Sequence, residues 1–205
     1  KYNRKTNRKS INSFNINEKK LINKGFALIR EIGWNNFDIK TLSKKEKISE
    51  EEISFFFSCK YSLIERFTKM IDSEVESNLS FDEMRESSVK DNLFEVIMLR
   101  FDVMEPYKIA LPKLIKSAKK NPALFSVISK NVINSMDFYL EISNSYKGLT
   151  IDLFKKNFLF IIYSYTFKIW LEDNSDDLSK TMAALDKSLS IADNLQEKAK
   201  EFLPI

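Results

Sequence analysis

The chain has 205 residues, 43% of them hydrophobic and 30% charged, with 33 Lys and Arg against 29 Asp and Glu for a net charge of +4. That length fits one large domain or two small ones, and the apolar fraction is enough to fill a core. Three Gly and four Pro are too few turn residues for a β-sandwich or barrel. With no His, histidine general-base chemistry, Ser-His-Asp and Cys-His triads and the commonest zinc or copper ligand are all removed. The single Cys59 cannot form an internal disulfide, which points to a reducing cytoplasm.

Residues 1–16 carry no apolar periodicity and read as a basic arm. Within residues 1–20 the bases Lys1, Arg4, Lys5, Arg8, Lys9, Lys19 and Lys20 face only Glu18, a net of +6. Such an arm is either a solvated tail or a segment that seeks polyanions by releasing their counterions. No apolar run follows the bases, so it does not read as a secretory signal. From Asn17 the period becomes helical: Leu21, Ile22, Phe26, Ile29 and Trp34 fall near one stripe, and Gly33 is placed to end the helix. Asp38 can cap a short helix holding Ile39 and Leu42. Ser49 with Glu52 forms an S-x-x-E capping box that opens a second short helix burying Ile53 and Phe56 or Phe57. A longer helix is predicted from about Lys60 to Leu79, with Leu63, Ile64, Phe67, Met70 and Ile71 at helical spacing.

Residues 80–88 are polar and read as a connector. Five further helical segments follow: Val89–Glu105, Pro106–Lys120, Pro122–Ser145 ending near Gly148, Thr150–Glu172, and Asp176–Phe202. No Val/Ile/Thr-rich run alternates between turn residues, so the expected fold class is all-α with about nine helices. The apolar run at 157–171 is shorter than the ~20 residues a transmembrane helix needs. Lys155 and Lys156 precede it and Lys168 interrupts it. It reads as a core or subunit-interface helix and not as a membrane span.

Three helices in about 45 residues, the second and third joined by a tight turn, make a helix-turn-helix. The order Gly33-Trp34, Ile39-Lys40-Thr41-Leu42-Ser43, Lys47-Ile48-Ser49, Ile53, Phe57, Lys60 and Leu63 resembles the TetR family of one-component repressors over residues 18–65. That resemblance implies a DNA-binding regulator with a helix-turn-helix at 17–60 and a helical ligand-binding and dimerisation domain at 61–205. It places Lys40, Lys44 and Lys60 toward phosphate and Ser49, Glu50, Glu51, Ser54 and Phe55 on the reading surface. The charge division agrees: residues 1–60 hold 14 bases and 7 acids, net +7, leaving residues 61–205 at net −3. The chain departs from the family pattern at Glu50, Glu51 and Glu52, where Lys, Gly or Thr are usual. It departs again at Ser54, in place of a phosphate-touching tyrosine, at Phe55 and Phe56, and at Lys47, in place of a turn glycine. Three acids beside a phosphate backbone repel it, although in a first helical turn they also complement the helix dipole. Lys47 costs roughly 1 kcal/mol if its position keeps a positive φ.

A second resemblance lies further along. Trp170-Leu171-Glu172-Asp173-Asn174-Ser175-Asp176-Asp177-Leu178, then Thr181, Leu185 and Asp186, is similar to the end of the coenzyme Q biosynthesis accessory proteins. Arg100-Phe101-Asp102 and Pro106-Tyr107-Lys108 resemble that family too. It shares the TetR-type fold, and the resemblance implies isoprenoid-lipid binding without repressor activity. Read by themselves, Asp173, Ser175 and Asp177 make a loop and N-cap between two helices.

Seventeen Phe, seven Tyr and six Met supply an apolar ligand site as well as a core. Candidate lining residues are Met98, Phe101, Tyr107 and Phe125, with Met136, Tyr139, Phe158 and Tyr163. The expected partners are an apolar small molecule or lipid, DNA, and a second copy through residues 150–172 and 176–202, as a four-helix bundle. No cofactor or metal is expected. The chain has no G-x-G-x-x-G, P-loop, C-x-x-C or HExxH, and the adjacent pair Asp176-Asp177 reads as solvated, so no enzyme is expected. Cys59 reads as a small semi-buried residue beside Lys60 or, less simply, as a redox thiolate.

Overall fold

The computed structural model describes residues 17–146 and 152–202. The arm at 1–16, Gly148 and Thr150 lie outside the described residues. Ten α-helices are present among the described residues, without strands: α1 (Glu18–Ile32), α2 (Ile39–Glu46), α3 (Glu50–Phe56), α4 (Lys60–Asn78), α5 (Phe81–Glu86), α6 (Val89–Met104), α7 (Leu111–Ala118), α8 (Pro122–Ile142), α9 (Asp152–Glu172) and α10 (Ser179–Phe202). Short 3-10 turns occur at Trp34–Asn36 and Glu105–Tyr107.

Three segments differ from the sequence expectation, each for a local reason. The connector at 80–88 contains α5, whose Met84 is buried and whose last turn is held when Asn92 Nδ2 donates to the Met84 carbonyl at 2.8 Å. That helix raises the count from nine to ten. The segment Pro106–Lys120 is split, because Pro112 lacks an N–H and its ring would strike the carbonyl four residues earlier. The chain makes the Glu105–Tyr107 turn and restarts as α7, with Pro112 in its first turn. The last helix begins at Ser179 and not Asp176, since Leu178 adopts a left-handed φ of 52°. Asp177 Oδ1 accepts the Ser179 N–H at 3.1 Å there.

The described chain divides into two compact units, at 17–70 with 109–128 and at 71–108 with 129–202. The expected boundary at residue 60 coincides with the start of α4, and the division falls further along that helix, after Met70.

In the first unit, α1 starts on the Asn17 side chain, which accepts the Lys20 N–H at 2.8 Å. It ends at Gly33, whose φ of 77° suits a glycine C-cap and whose N–H reaches the Ile29 carbonyl. The predicted stripe Leu21, Ile22, Phe26, Ile29 and Trp34 is buried, joined by Leu42, Ile53, Phe57 and Leu63. A Cβ on Gly25 would lie 2.9 Å from Leu63 Cδ2, so glycine lets α1 and α4 approach closely. Phe26 and Phe67 meet at 4.1 Å between ring centroids, and Lys113 of α7 donates to the Arg30 carbonyl at the end of α1.

In the second unit, α6, α8, α9 and α10 surround a core of Val96, Ile97, Phe101, Met136, Tyr139, Trp170, Leu185 and Leu189. Helix α10 packs along α9 after the turn at 173–178.

Candidate functional site

The first unit builds its surface site from two short helices. Asp38 Oδ1 accepts the Thr41 N–H at 2.6 Å and starts α2. That bond, with the Thr41 side chain, holds the Asp38 carboxyl below its ordinary range. At the corner Lys47 takes φ 55°, ψ 39°, the left-handed conformation in which a non-glycine residue is strained. Ser43 Oγ fastens the corner by donating to the Ile48 carbonyl at 2.7 Å. Ser49 Oγ then accepts the Glu52 N–H at 3.2 Å and opens α3. Ile53 and Phe57 anchor α3 inward, and its other face looks to solvent.

On that outer face Ser49, Glu50, Glu51, Ser54 and Phe55 are all exposed, as are Lys40 and Lys44. Phe55 is 48% exposed and meets Phe56 edge-on at 5.1 Å. Neither Glu50 nor Glu51 has an ion pair among the described residues, whereas neighbouring Glu31 and Glu46 are matched by Lys45 and Lys24. Lys60 is the member of the predicted set that turns inward. Its Nζ lies 5.1 Å from the Trp34 ring centroid and 3.5 Å from the Phe37 carbonyl. Cys59 is exposed, more so than expected, and the Ser62 hydroxyl lowers its thiol pKa.

The second unit holds a buried polar cluster that the sequence did not announce. Arg100 is 2% exposed. Its Nε donates to Tyr163 Oη at 3.1 Å, and its Nη1 donates to Tyr139 Oη at 2.7 Å and to Asp72. Tyr139 Oη in turn donates a hydrogen bond to Asp72 Oδ1 at 2.8 Å, and Ser135 donates to Asp72 Oδ2 at 2.7 Å. Burial pushes the Tyr139 and Tyr163 phenols above their ordinary pKa, so both stay protonated. An aromatic column adjoins the cluster. Phe101 stacks between Tyr163, at 5.5 Å, and Trp170, at 5.2 Å. Lys108 Nζ sits 5.0 Å from the Trp170 centroid and donates to the Asp173 carbonyl at 3.0 Å.

Asp173 closes the turn before α10. Its Oδ1 accepts from Ser175, and its Oδ2 accepts the Thr181 N–H at 2.9 Å and the Thr181 hydroxyl at 2.8 Å. The Ser175 hydroxyl first, then Thr181, hold its carboxyl well below the usual carboxylate range. The segments around Arg100-Phe101, Pro106–Lys108 and Trp170–Asp177, distant in sequence, are thus gathered at one place.

The predicted ligand residues are distributed unevenly. Phe101, Tyr107, Met136, Tyr139 and Tyr163 are buried, and Met98 is half-buried. Phe125 belongs to the first unit and is 59% exposed, so it is not gathered with them. Phe158 alone of the eight lines a cavity of ≈ 390 Å³ in the second unit. The wall residues Leu93, Leu140, Leu159, Ile162 and Leu189 were not singled out from the sequence, because α9 is apolar on nearly every face and its spacing names no stripe. Along α9, Phe154, Phe158, Ile161 and Tyr165 are 40–67% exposed at i, i+4, i+7 and i+11, which places them on one face. Among the described residues no group of three His, Cys, Asp or Glu could hold a metal, and no helix is long and apolar enough to cross a membrane.

No family model matches the chain, and no curated protein matches it. Among solved structures it is similar to the crystal structure of a TetR transcriptional regulator from Nitrosomonas europaea. The TM-score is 0.67 at 18% identity, covering 84% of this chain and 95% of that one. The all-α, TetR-like fold expected from the sequence is therefore the fold the chain adopts.

Proposed function

We propose, from this TetR-like fold, that the protein is a DNA-binding regulator that acts as a homodimer and responds to a small molecule with an apolar body. The observation that carries the reading is the outward face of α3, set up by the Asp38 and Ser49 caps and the left-handed corner at Lys47. A capped α2–corner–α3 unit with one face anchored and the other bare is the form that enters a major groove, with Lys40 and Lys44 placed for phosphate. The exposed row Phe154, Phe158, Ile161 and Tyr165 supports pairing of two copies through α9 and α10. The cavity supports a ligand in the helical unit. Fluorescence-anisotropy titration against fragments of the DNA upstream of its own coding region tests the reading. Binding that weakens steeply with salt is expected, and absence of binding at low ionic strength overturns it.

A second reading is favoured by Glu50 and Glu51, exposed and without ion pairs among the described residues, together with Lys60 turned onto Trp34. Here the fold is kept, duplex binding is lost, and the protein serves as a lipid- or isoprenoid-binding accessory of quinone biosynthesis. The convergence of Arg100-Phe101, Lys108 and Trp170–Asp173 supports it, since those segments carry the resemblance to that family. Native mass spectrometry of protein isolated from its host separates the two readings: co-purifying isoprenoid with no duplex affinity favours the accessory role.

A further inference from the structure

Between Glu105 and Asp137 the sequence holds six lysines and no acid. Four of them, Lys113, Lys116, Lys119 and Lys120, belong to the first unit, on α7 and the corner that leads into α8, and all four are exposed. The inner side of α7 is made by Leu111, Leu114 and Ala118, each buried. On the outer side Ile109, Lys113 and Lys116 recur at i, i+4 and i+7 and share one row. Ile109, at the head of that row, is 58% exposed. The corner is fixed when the Lys120 N–H donates to the Ser117 carbonyl and Asn121 Oδ1 accepts the Leu124 N–H at 3.1 Å. One turn into α8, Leu124 is buried while Phe125 beside it stands 59% exposed.

The positive charge here is not balanced locally. Lys113 donates to the Arg30 carbonyl, a neutral acceptor, and the Arg30 side chain is itself exposed. None of Arg30, Lys113, Lys116, Lys119 and Lys120 has an ion pair among the described residues. Glu31, next to Arg30, is taken by Lys45. Residues 1–16 contain no acid either.

Five cations flanked by two large exposed apolar side chains match one kind of partner. Lysines at a negatively charged bilayer each raise affinity about fivefold, and exposed apolar side chains gain by entering the boundary between headgroups and acyl chains. A nucleic-acid duplex would use the same lysines but would leave Ile109 and Phe125 beside phosphates, with nothing apolar to cover them. We infer that the outer face of α7 and the α7–α8 corner form a docking surface for an anionic membrane, with the lysines on the headgroups and Phe125 and Ile109 inserted among them. This contact is peripheral, and it stands apart from both the DNA and the ligand readings.

Co-sedimentation of the full chain with phosphatidylglycerol–phosphatidylcholine vesicles tests it, with pure phosphatidylcholine as the neutral control. Binding to the anionic vesicles alone is expected. Lys116→Gln with Lys119→Gln and Lys120→Gln should weaken it about tenfold or more. Ile109→Ser with Phe125→Ser should weaken it about fivefold, because the apolar contribution is lost while the charge is kept. Phe125→Trp supplies a reading of insertion that does not depend on affinity. Trp34 and Trp170 are 0% exposed, so a blue shift and quenching by brominated phosphatidylcholine in the mixed vesicles report the new indole. No binding to anionic vesicles, equal binding to neutral ones, or binding unchanged in the triple lysine variant overturns the inference. So does an indole at 125 that brominated lipid leaves unquenched. A triple lysine variant that keeps vesicle binding but loses duplex affinity assigns the lysines to nucleic acid and overturns it as well.

Discussion

The charges on α3 and the charges around Arg100 obey opposite rules. Glu50 and Glu51 stand in solvent with no ion pair among the described residues. Water solvates them, so they cost the fold little and can be altered for function. Arg100 is 2% exposed, and its contacts run to Asp72, Tyr139 and Tyr163, with Ser135 completing the Asp72 carboxylate. A charge removed from water must be matched where it lies, and taking one partner away exposes the full desolvation cost. The first region is therefore where substitution is tolerated. The second is where stability is concentrated.

The largest effect is expected at Asp72. Asp72→Ala leaves Arg100 buried without its countercharge and is expected to cost about 3 kcal/mol, since Asp72 is partly solvated and the full range for a broken buried pair is about 3–5 kcal/mol. Urea unfolding measures it. The double change Asp72→Ala with Arg100→Met should recover much of that loss, because it replaces an orphaned charge by packing volume. If the double variant is no more stable than Asp72→Ala alone, the cluster is not acting as a matched unit.

Asp173 is a smaller case on the buried side. Asp173→Ala removes the acceptor for Thr181 and Ser175 and should cost about 1–2 kcal/mol, as for a lost helix cap. Because its folded-state pKa lies below the unfolded value of about 3.9, its contribution is present above that pH and disappears as pH falls toward the folded value. A stability profile from pH 6 to pH 2 should therefore decline less steeply in the variant than in the parent.

On the surface side the effects are slighter. Lys47→Gly relieves a left-handed residue and should stabilise the protein by about 0.5–1 kcal/mol, read as a rise in the urea midpoint. Glu50, Glu51 and Glu52 changed together to Gln should raise affinity for unrelated duplex a few-fold at low salt. The same triple change should lower stability by only about 1 kcal/mol through the lost helix-dipole interaction. Should it unfold the chain instead, the contrast between the two regions fails.

The part of the fold that depends on near neighbours was legible in the sequence. Asp38 with the Thr41 N–H, Ser49 with the Glu52 N–H, and Gly33 at the end of the α1 stripe act over three or four residues as their spacing indicates. The return bond of a full capping box, from the Ser49 N–H to the Glu52 carboxylate, is not made among the described residues. Legibility ended where partners are far apart. Arg100 meets Asp72, Tyr139 and Tyr163 across 28, 39 and 63 residues, a grouping that no local period encodes. The aromatic residues gave the composition of the helical unit but not its cavity, because fully apolar α9 does not reveal which side faces a void. The resemblance placed Lys60 toward phosphate, and its ammonium instead lies against Trp34 and the Phe37 carbonyl.

Whether the bare face of α3 meets a duplex is measured most directly by the salt dependence of binding. With Lys40 and Lys44 from each of two copies on phosphate, log Kobs should fall against log salt with a slope of about −3.6 or steeper. Replacing both lysines by Ala should flatten that slope by the same amount. A slope that is unchanged in the double variant, or no measurable complex at low ionic strength, contradicts the regulator reading.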